Sequence, residues 1–253
     1  MSTGSHRVHD PVAEAAQRAQ VRDRLGQLTP LAMEAIRAGR GRDFQRLELI
    51  GDSILELVVH AHSVVHGPGC PHCAGRADLF TTDAHLGELA QEISLGDWLD
   101  WSPSEHRLAD LVEACAGATW VSGGWTQVVE FVAGELHPLS PDERRRILQG
   151  GAQVHPEAPA RAREILGAAI LEAAASTAAF RRDPVGDEGD LSRIKARMLS
   201  GEHVLGRCRE SRWVHRTLRT RRFDRDDVER ELANNLLEHG IASAVTIAWP
   251  LTT

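Results

Sequence analysis

The sequence contains no tyrosine, a single lysine (Lys195), five phenylalanines and three methionines. Without tyrosine, and with few alternating runs of β-branched residues, little in the chain favours strands. No apolar run approaches the roughly 18 residues that a membrane helix needs. The most apolar stretch, near 165–180, is interrupted by Glu172, Ser176 and Thr177. The opening MSTGSHRVHD has neither the apolar core nor the cleavage pattern of a secretory signal. Four cysteines are too few for a disulfide framework in a chain this long. These absences lead us to expect a soluble cytoplasmic protein with reduced thiols and no membrane partner. Acidic residues outnumber basic ones by 36 to 29, for a formal charge of −7, which argues against coating nucleic acid by bulk charge. A local basic face remains open. With one lysine, nearly all positive charge rests on arginine, the better bidentate phosphate ligand. A compositional bias of the source genome gives the same pattern.

What is present is helical periodicity. Leu47, Ile50, Ile54 and Val58 fall on one helical face, as do Leu111, Ala114, Cys115 and Ala118. The fold class expected is all-α. Proline and glycine concentrate between His137 and Pro159, marking a linker in which DERRRIL could form a short helix. A second loop, HGPGCPHCAG, spans 66–75. The halves on either side of the linker look related. ELIGDSILE at 48–56 recurs as EILGAAILE at 164–172, with five of nine positions identical and an offset of 116 residues. The same offset carries Asp110 and Glu113 onto Asp226 and Glu229. The organisation expected is an N-terminal extension at 1–19, a first domain at 20–136, a linker at 137–157 and a second copy at 158–253.

Acidic residues break the apolar pattern at two places. Glu48 and Asp52 are spaced i,i+4 and Asp110 and Glu113 i,i+3, so each pair shares one helical face. Carboxylates inside apolar runs are costly unless paired or bound to a cation. If the two helices cross, four acids form an all-oxygen cage suited to Mg²⁺ or Mn²⁺. If they do not, each pair lies on a solvated stripe. Spacing alone does not decide.

QRLELIGDS at 45–53 resembles the signature of the ribonuclease III family, usually written Glu-Arg-Leu-Glu-Phe-Leu-Gly-Asp-Ser. ADLVEACAGATWVSGGW at 109–125 is similar to that family's second acidic motif, and LGELAQEISLGDWL at 86–99 to the helix and turn between them. The resemblance covers roughly 20–135. It implies a helical endonuclease domain that hydrolyses double-stranded or structured RNA with Mg²⁺ or Mn²⁺, its metal-site and catalytic carboxylates falling on Glu48, Asp52, Asp110 and Glu113. Departures are visible. Gln45 stands where the family has an accessory acid, and Leu49 where it has an aromatic that packs into a partner domain. The family's Glu-Gly-Asp-Leu-Ser-Arg segment is absent from the first half and appears as EGDLSRIKARMLS at 188–200.

That segment marks the second half as a degenerate copy of the same domain. Glu164 matches the signature's second acid, but Ala168 replaces its aspartate. Domains of this family work in pairs, so two fused copies imply an internal pseudo-dimer with a single active site that nicks one strand. Pairing between two chains as a homodimer is the other arrangement. A catalytically inactive RNA-binding or ribonucleoprotein component is the alternative function, favoured by Gln45 and the losses in the second copy, and disfavoured by retention of four acids.

Two further features stand out. The segment 207–225 carries Arg207, Arg209, Arg212, Arg216, Arg219, Arg221, Arg222 and Arg225, with Trp213 and His215 interleaved. It reads as an RNA phosphate-contacting surface or as a solvated arginine-rich helix face. Cys70 and Cys73 form a C-x-x-C knuckle with His66 four residues earlier, a spacing compatible with structural Zn²⁺, with a glycine-rich loop bearing free thiols, or with a redox pair.

Overall fold

The structure, a computed structural model, describes residues 28–66, 82–99, 102–132, 139–155, 158, 161–211 and 223–253, and among these the apolar periodicity becomes ten α-helices. They are α1 (Pro30–Ala38), α2 (Arg42–His66), α3 (Asp83–Glu92), α4 (Glu105–Phe131), α5 (Pro141–Gln149), α6 (Ala162–Arg182), α7 (Glu188–Met198), α8 (Gly201–Glu210), α9 (Arg225–His239) and α10 (Ile241–Thr252), with a short 3₁₀ turn at Leu95–Trp98. No strand occurs among the described residues. No helix among them is long and apolar enough to cross a membrane.

Local chemistry sets the helix ends. Thr29 caps α1 through its side chain, Pro30 occupies the first helical position, and Gly39 closes the helix in the left-handed region at φ 58°. The expected short helix inside the linker is α5. Ser140 and Glu143 form a reciprocal capping box at its start.

Both faces anticipated from the periodicity are buried, with Leu47, Ile50, Ile54, Val58, Leu111, Ala114, Cys115 and Ala118 all in the core. One apolar cluster runs continuously through both halves. The most extensive packing is α2 on α4, followed by α6 on α9, with α2 also laid along α6. The α2–α4 crossing is set by glycine. A Cβ added at Gly51 would lie 1.7 Å from the carbonyl oxygen of Glu113, and one at Gly117 would lie 2.1 Å from that of Leu47. Only hydrogen at both positions lets the two backbones touch. The α6–α9 crossing repeats the arrangement. A Cβ at Gly167 would lie 2.0 Å from the carbonyl oxygen of Glu229.

Arg46 fastens α2 to α6. It is 4% exposed. Its guanidinium donates to the carbonyls of Asp183 (2.6 Å), Gly186 (2.7 Å) and Phe180 (3.0 Å) and lies over the Phe180 ring at 4.7 Å. Arg42 donates to Val185 O at 3.1 Å. Two cations thus meet the C-terminal end of α6, where carbonyls lack helical partners and the helix dipole is negative. Further along α2 and α6, the hydroxyls of Ser53 and Ser176 share a buried hydrogen bond of 2.7 Å.

Candidate metal-dependent active site

The crossing of α2 and α4 gathers the acids. Glu48 lies three residues, just under one turn, before Gly51 on α2, and Asp110 and Glu113 precede Gly117 on α4, so the glycine contact draws these side chains into one place. Ligand oxygens of Glu48, Asp110 and Glu113 all lie within 4.8 Å of one another, each residue half-buried. Asp52, one turn along α2, stands outside this triad but close enough to act on its charge.

The electrostatics are those of anions crowded together. Burial, then the charges of Asp52, Glu48 and Asp110, pushes the Glu113 carboxyl up to about 9. Burial and the facing Asp110 push Glu48 to about 7. Burial also raises Asp52, to about 6, against the opposing pull of Lys195. Four carboxylates in a partly desolvated place cannot all ionise without a compensating cation. The donor set is all oxygen, which fits hard divalent ions of the Mg²⁺ and Mn²⁺ type.

Three participants escaped the spacing argument. Glu188 at the start of α7 adds its negative charge to Glu48, and Asp83 at the start of α3 adds to Asp52 and Glu113. Lys195 on α7 reaches Glu172 at 2.5 Å and donates to Ser53 at 3.1 Å, which brings its charge beside Asp52. Glu188 and Lys195 belong to the EGDLSRIKA segment, whose displacement into the second half therefore still delivers charged groups to the first-half acids. Sequence periodicity carries no signal for that, because the approach depends on how α6 and α7 lie against α2.

The acids of the second half do not converge in the same way. Glu229 is buried and held by Arg225 at 2.7 Å, and Arg225 also donates to Leu199 O. Glu164 has Arg230 at 3.6 Å, and one of its oxygens is buried without a hydrogen-bond partner. Asp226 is exposed. Guanidinium groups stand among these acids. No metal-competent cluster forms there among the described residues.

Of the arginine segment, Arg212, Arg216, Arg219, Arg221 and Arg222 lie outside the described residues. Arg207 sits on α8, bonded to Glu210 at 3.0 Å and to Pro250 O at 3.2 Å. Arg209 is exposed on the same helix. Cys70 and Cys73 also lie outside the described residues. His66 does not approach the acid triad but faces His62 and Glu143. Cys115 and Cys208 are buried thiols, pushed by burial to about 12 and about 11, which makes them packing residues rather than nucleophiles.

No family model matches the chain. Curated relatives do. Ribonuclease 3 of Moorella thermoacetica is 32% identical over 101 residues, covering 36% of this chain and 43% of the relative. Ribonuclease 3 of Photobacterium profundum is 33% identical over 108 residues, covering 38% and 48%. Ribonuclease 3 of Vibrio cholerae is 31% identical over 121 residues, covering 42% and 53%. The chain thus spans about half or less of the length of the relatives it matches.

Proposed function

We infer from its likeness to the Ribonuclease 3 relatives that the chain belongs to the ribonuclease III family, and we propose that it is a divalent-metal-dependent endoribonuclease acting on double-stranded or structured RNA. The observation that carries the proposal is the convergence of Glu48, Asp110 and Glu113 at a crossing that glycine alone permits. Those three residues, with Asp52, would hold Mg²⁺ or Mn²⁺. When bound, such a cation supplies Lewis acidity at the scissile phosphate and eases deprotonation of water. The chain's own part is positional. Gly51 and Gly117 fix the distance between the helices that carry the acids. Glu113 holds its proton at neutral pH in the cation-free protein and Glu48 stands near half-protonation, and both would give up protons on loading, so cation affinity rises with pH. Lys195 counters that tendency at Asp52 and favours its ionised form. No side chain in the cluster is a candidate covalent nucleophile.

We further infer a single working centre in an internal pair of domains. The pairing of Glu229 with Arg225 and Glu164 with Arg230, together with Ala168 in place of an aspartate, supports a second copy that completes the fold without cutting. Arg207, Arg209 and the arginines that follow would contribute phosphate contacts. The alternative, an inactive RNA-binding component, is opposed by the acid triad itself. Gathering half-buried carboxyl groups costs desolvation that a cation would offset and that a scaffold has no use for.

The test is Mg²⁺-dependent cleavage of duplex RNA by the wild type, Asp52→Asn and Glu113→Gln. Cleavage by the wild type, reduced at least about a hundredfold in both variants, is the expected result. An inactive wild type under conditions that suit other Ribonuclease 3 enzymes sinks the enzymatic reading. Equal activity in the variants sinks the site.

A further inference from the structure

A second cluster of metal-ligating groups lies away from the acid triad, at the far end of α2. His62 and His66 are spaced i,i+4 and present their rings on one face of the last turn. The ring centroids are 5.2 Å apart. Both aim a nitrogen at the same atom, Glu143 Oε1 on the first turn of α5. His62 Nε2 lies 3.4 Å from it, and His66 Nδ1 is hydrogen-bonded to it. The three ligand atoms all lie within 4.8 Å of one another.

The carboxylate is held from behind. Its other oxygen accepts the Ser140 backbone N–H at 2.7 Å, and the Ser140 hydroxyl accepts the Glu143 N–H, so the capping box of α5 fixes which oxygen faces the histidines. Burial works against the charge, but the Ser140 bonds and the His66 contact outweigh it and hold Glu143 ionised, at about 2. His62 is 2% exposed, whereas His66 is 37% exposed at its side chain, which leaves one side of the cluster open to solvent.

We propose that His62, His66 and Glu143 form a site for a divalent transition metal of zinc's ligand preference, clipping the linker helix α5 to α2. Two imidazoles and one carboxylate are a three-ligand set that zinc accepts, with a fourth position left for water. In a tetrahedron with bonds of about 2.0–2.1 Å, neighbouring ligand atoms stand roughly 3.3 Å apart, and the His62–Glu143 separation of 3.4 Å already matches that edge. The His66–Glu143 hydrogen bond gives way when both atoms turn to the metal. Nitrogen ligands distinguish this place from the all-oxygen triad, which prefers Mg²⁺. The site would join the end of α2, in the first domain, to the connection leading into the second. It needs neither Cys70 nor Cys73.

The experiment uses the full chain, stripped with chelator and titrated with Zn²⁺ in excess Mg²⁺, alone and against a chromophoric competitor. Wild type, His66→Asn, Glu143→Gln and Cys70→Ser/Cys73→Ser are compared, with circular dichroism confirming that each folds. One Zn²⁺ per chain is expected in the wild type and in the double cysteine variant, raising Tm in both. His66→Asn and Glu143→Gln should weaken it at least about tenfold and lose the Tm rise. Co²⁺ in place of Zn²⁺ should give visible bands without a thiolate charge-transfer band. Failure of the wild type to bind Zn²⁺ more tightly than both single variants leaves only a hydrogen-bonded histidine pair and overturns the proposal. Loss of Zn²⁺ in the cysteine variant with retention in the other two overturns it in favour of the C-x-x-C loop.

Discussion

Gly51→Ala is the smallest change that should dismantle the acid site. The added methyl would stand 1.7 Å from the Glu113 carbonyl oxygen, half the 3.4 Å at which ordinary contact begins, and its neighbour is helix backbone rather than a flexible side chain. The two helices must therefore part by on the order of 1.5 Å or more, because close-packed interiors do not absorb such an overlap locally. Overpacking of this kind costs about 1–3 kcal/mol, equivalent to a Tm decrease of roughly 2–12 °C in a protein of this size. The functional loss should be larger than the stability loss. Glu48 sits on one helix and Asp110 and Glu113 on the other, so separation widens the triad directly. Misplacement by about 1 Å can cost on the order of a hundredfold in rate. Gly167→Ala supplies the comparison, since its overlap with the Glu229 carbonyl is nearly as severe but lies at the other crossing. Thermal unfolding and Mg²⁺-dependent cleavage measured together on both variants separate the effects. A loss of cleavage in Gly51→Ala well beyond that in an equally destabilised Gly167→Ala is expected. Gly51→Ala with wild-type Tm and wild-type cleavage would refute the reasoning.

Three other outcomes follow from the same geometry. The raised pKa values of Glu48 and Glu113 mean that the folded cation-free protein binds more protons than the unfolded chain between about pH 4.5 and 9. Its stability should therefore fall as pH rises through that window, by on the order of 2–3 kcal/mol after allowing for partial exposure. Added Mg²⁺ should restore most at the alkaline end, and Tm against pH with and without Mg²⁺ reads this; an apo Tm that climbs from pH 6 to 9 would contradict it. Arg46→Met should cost roughly 2–4 kcal/mol, because three carbonyls at the end of α6 lose a charged donor in a buried place. Arg46→Lys should recover less than half of that, since an ammonium cannot reproduce the planar fork; urea denaturation measures both. Ala168→Asp, which returns an acid opposite Asp52, should leave the strand-cleavage pattern unchanged while Arg225 and Arg230 remain among the second-half acids, and paired cuts from that single change would show that the arginines are no obstacle.

Much of this was legible from residue order. The all-α class, the two buried faces, the linker helix and the carboxylate spacing all follow from patterns a helix imposes on nearby residues, where sequence separation and spatial proximity coincide. Glycine was the least conspicuous informative residue. Gly51 and Gly117 read as ordinary members of the motifs, yet their missing side chains decide whether the acids meet. What the sequence could not carry was the relation between distant segments. Arg46 belongs to the signature but turns away from the acids to grip α6, and Lys195 and Glu188 reach the first-half acids from the second half. The partner of Glu164 was equally hidden, because Arg230 approaches it from a neighbouring helix, whereas Arg225 lies one helical turn before Glu229 on the same helix and that pair was open to view. His66 stands beside Cys70 and Cys73 in sequence, and those cysteines lie outside the described residues; in the fold it meets His62, one turn earlier, and Glu143, 77 residues later, a meeting that sequence order did not announce.

The central claim is that one metal-dependent centre, built from Glu48, Asp52, Asp110 and Glu113, cleaves RNA. Its most direct test is a duplex RNA labelled on both strands, incubated with monomeric protein and Mg²⁺ and resolved strand by strand. Nicks in one strand per binding event are expected, dependent on Mg²⁺ and abolished by Glu113→Gln. Cleavage that persists in Glu113→Gln, or paired cuts in both strands by a confirmed monomer, would contradict it.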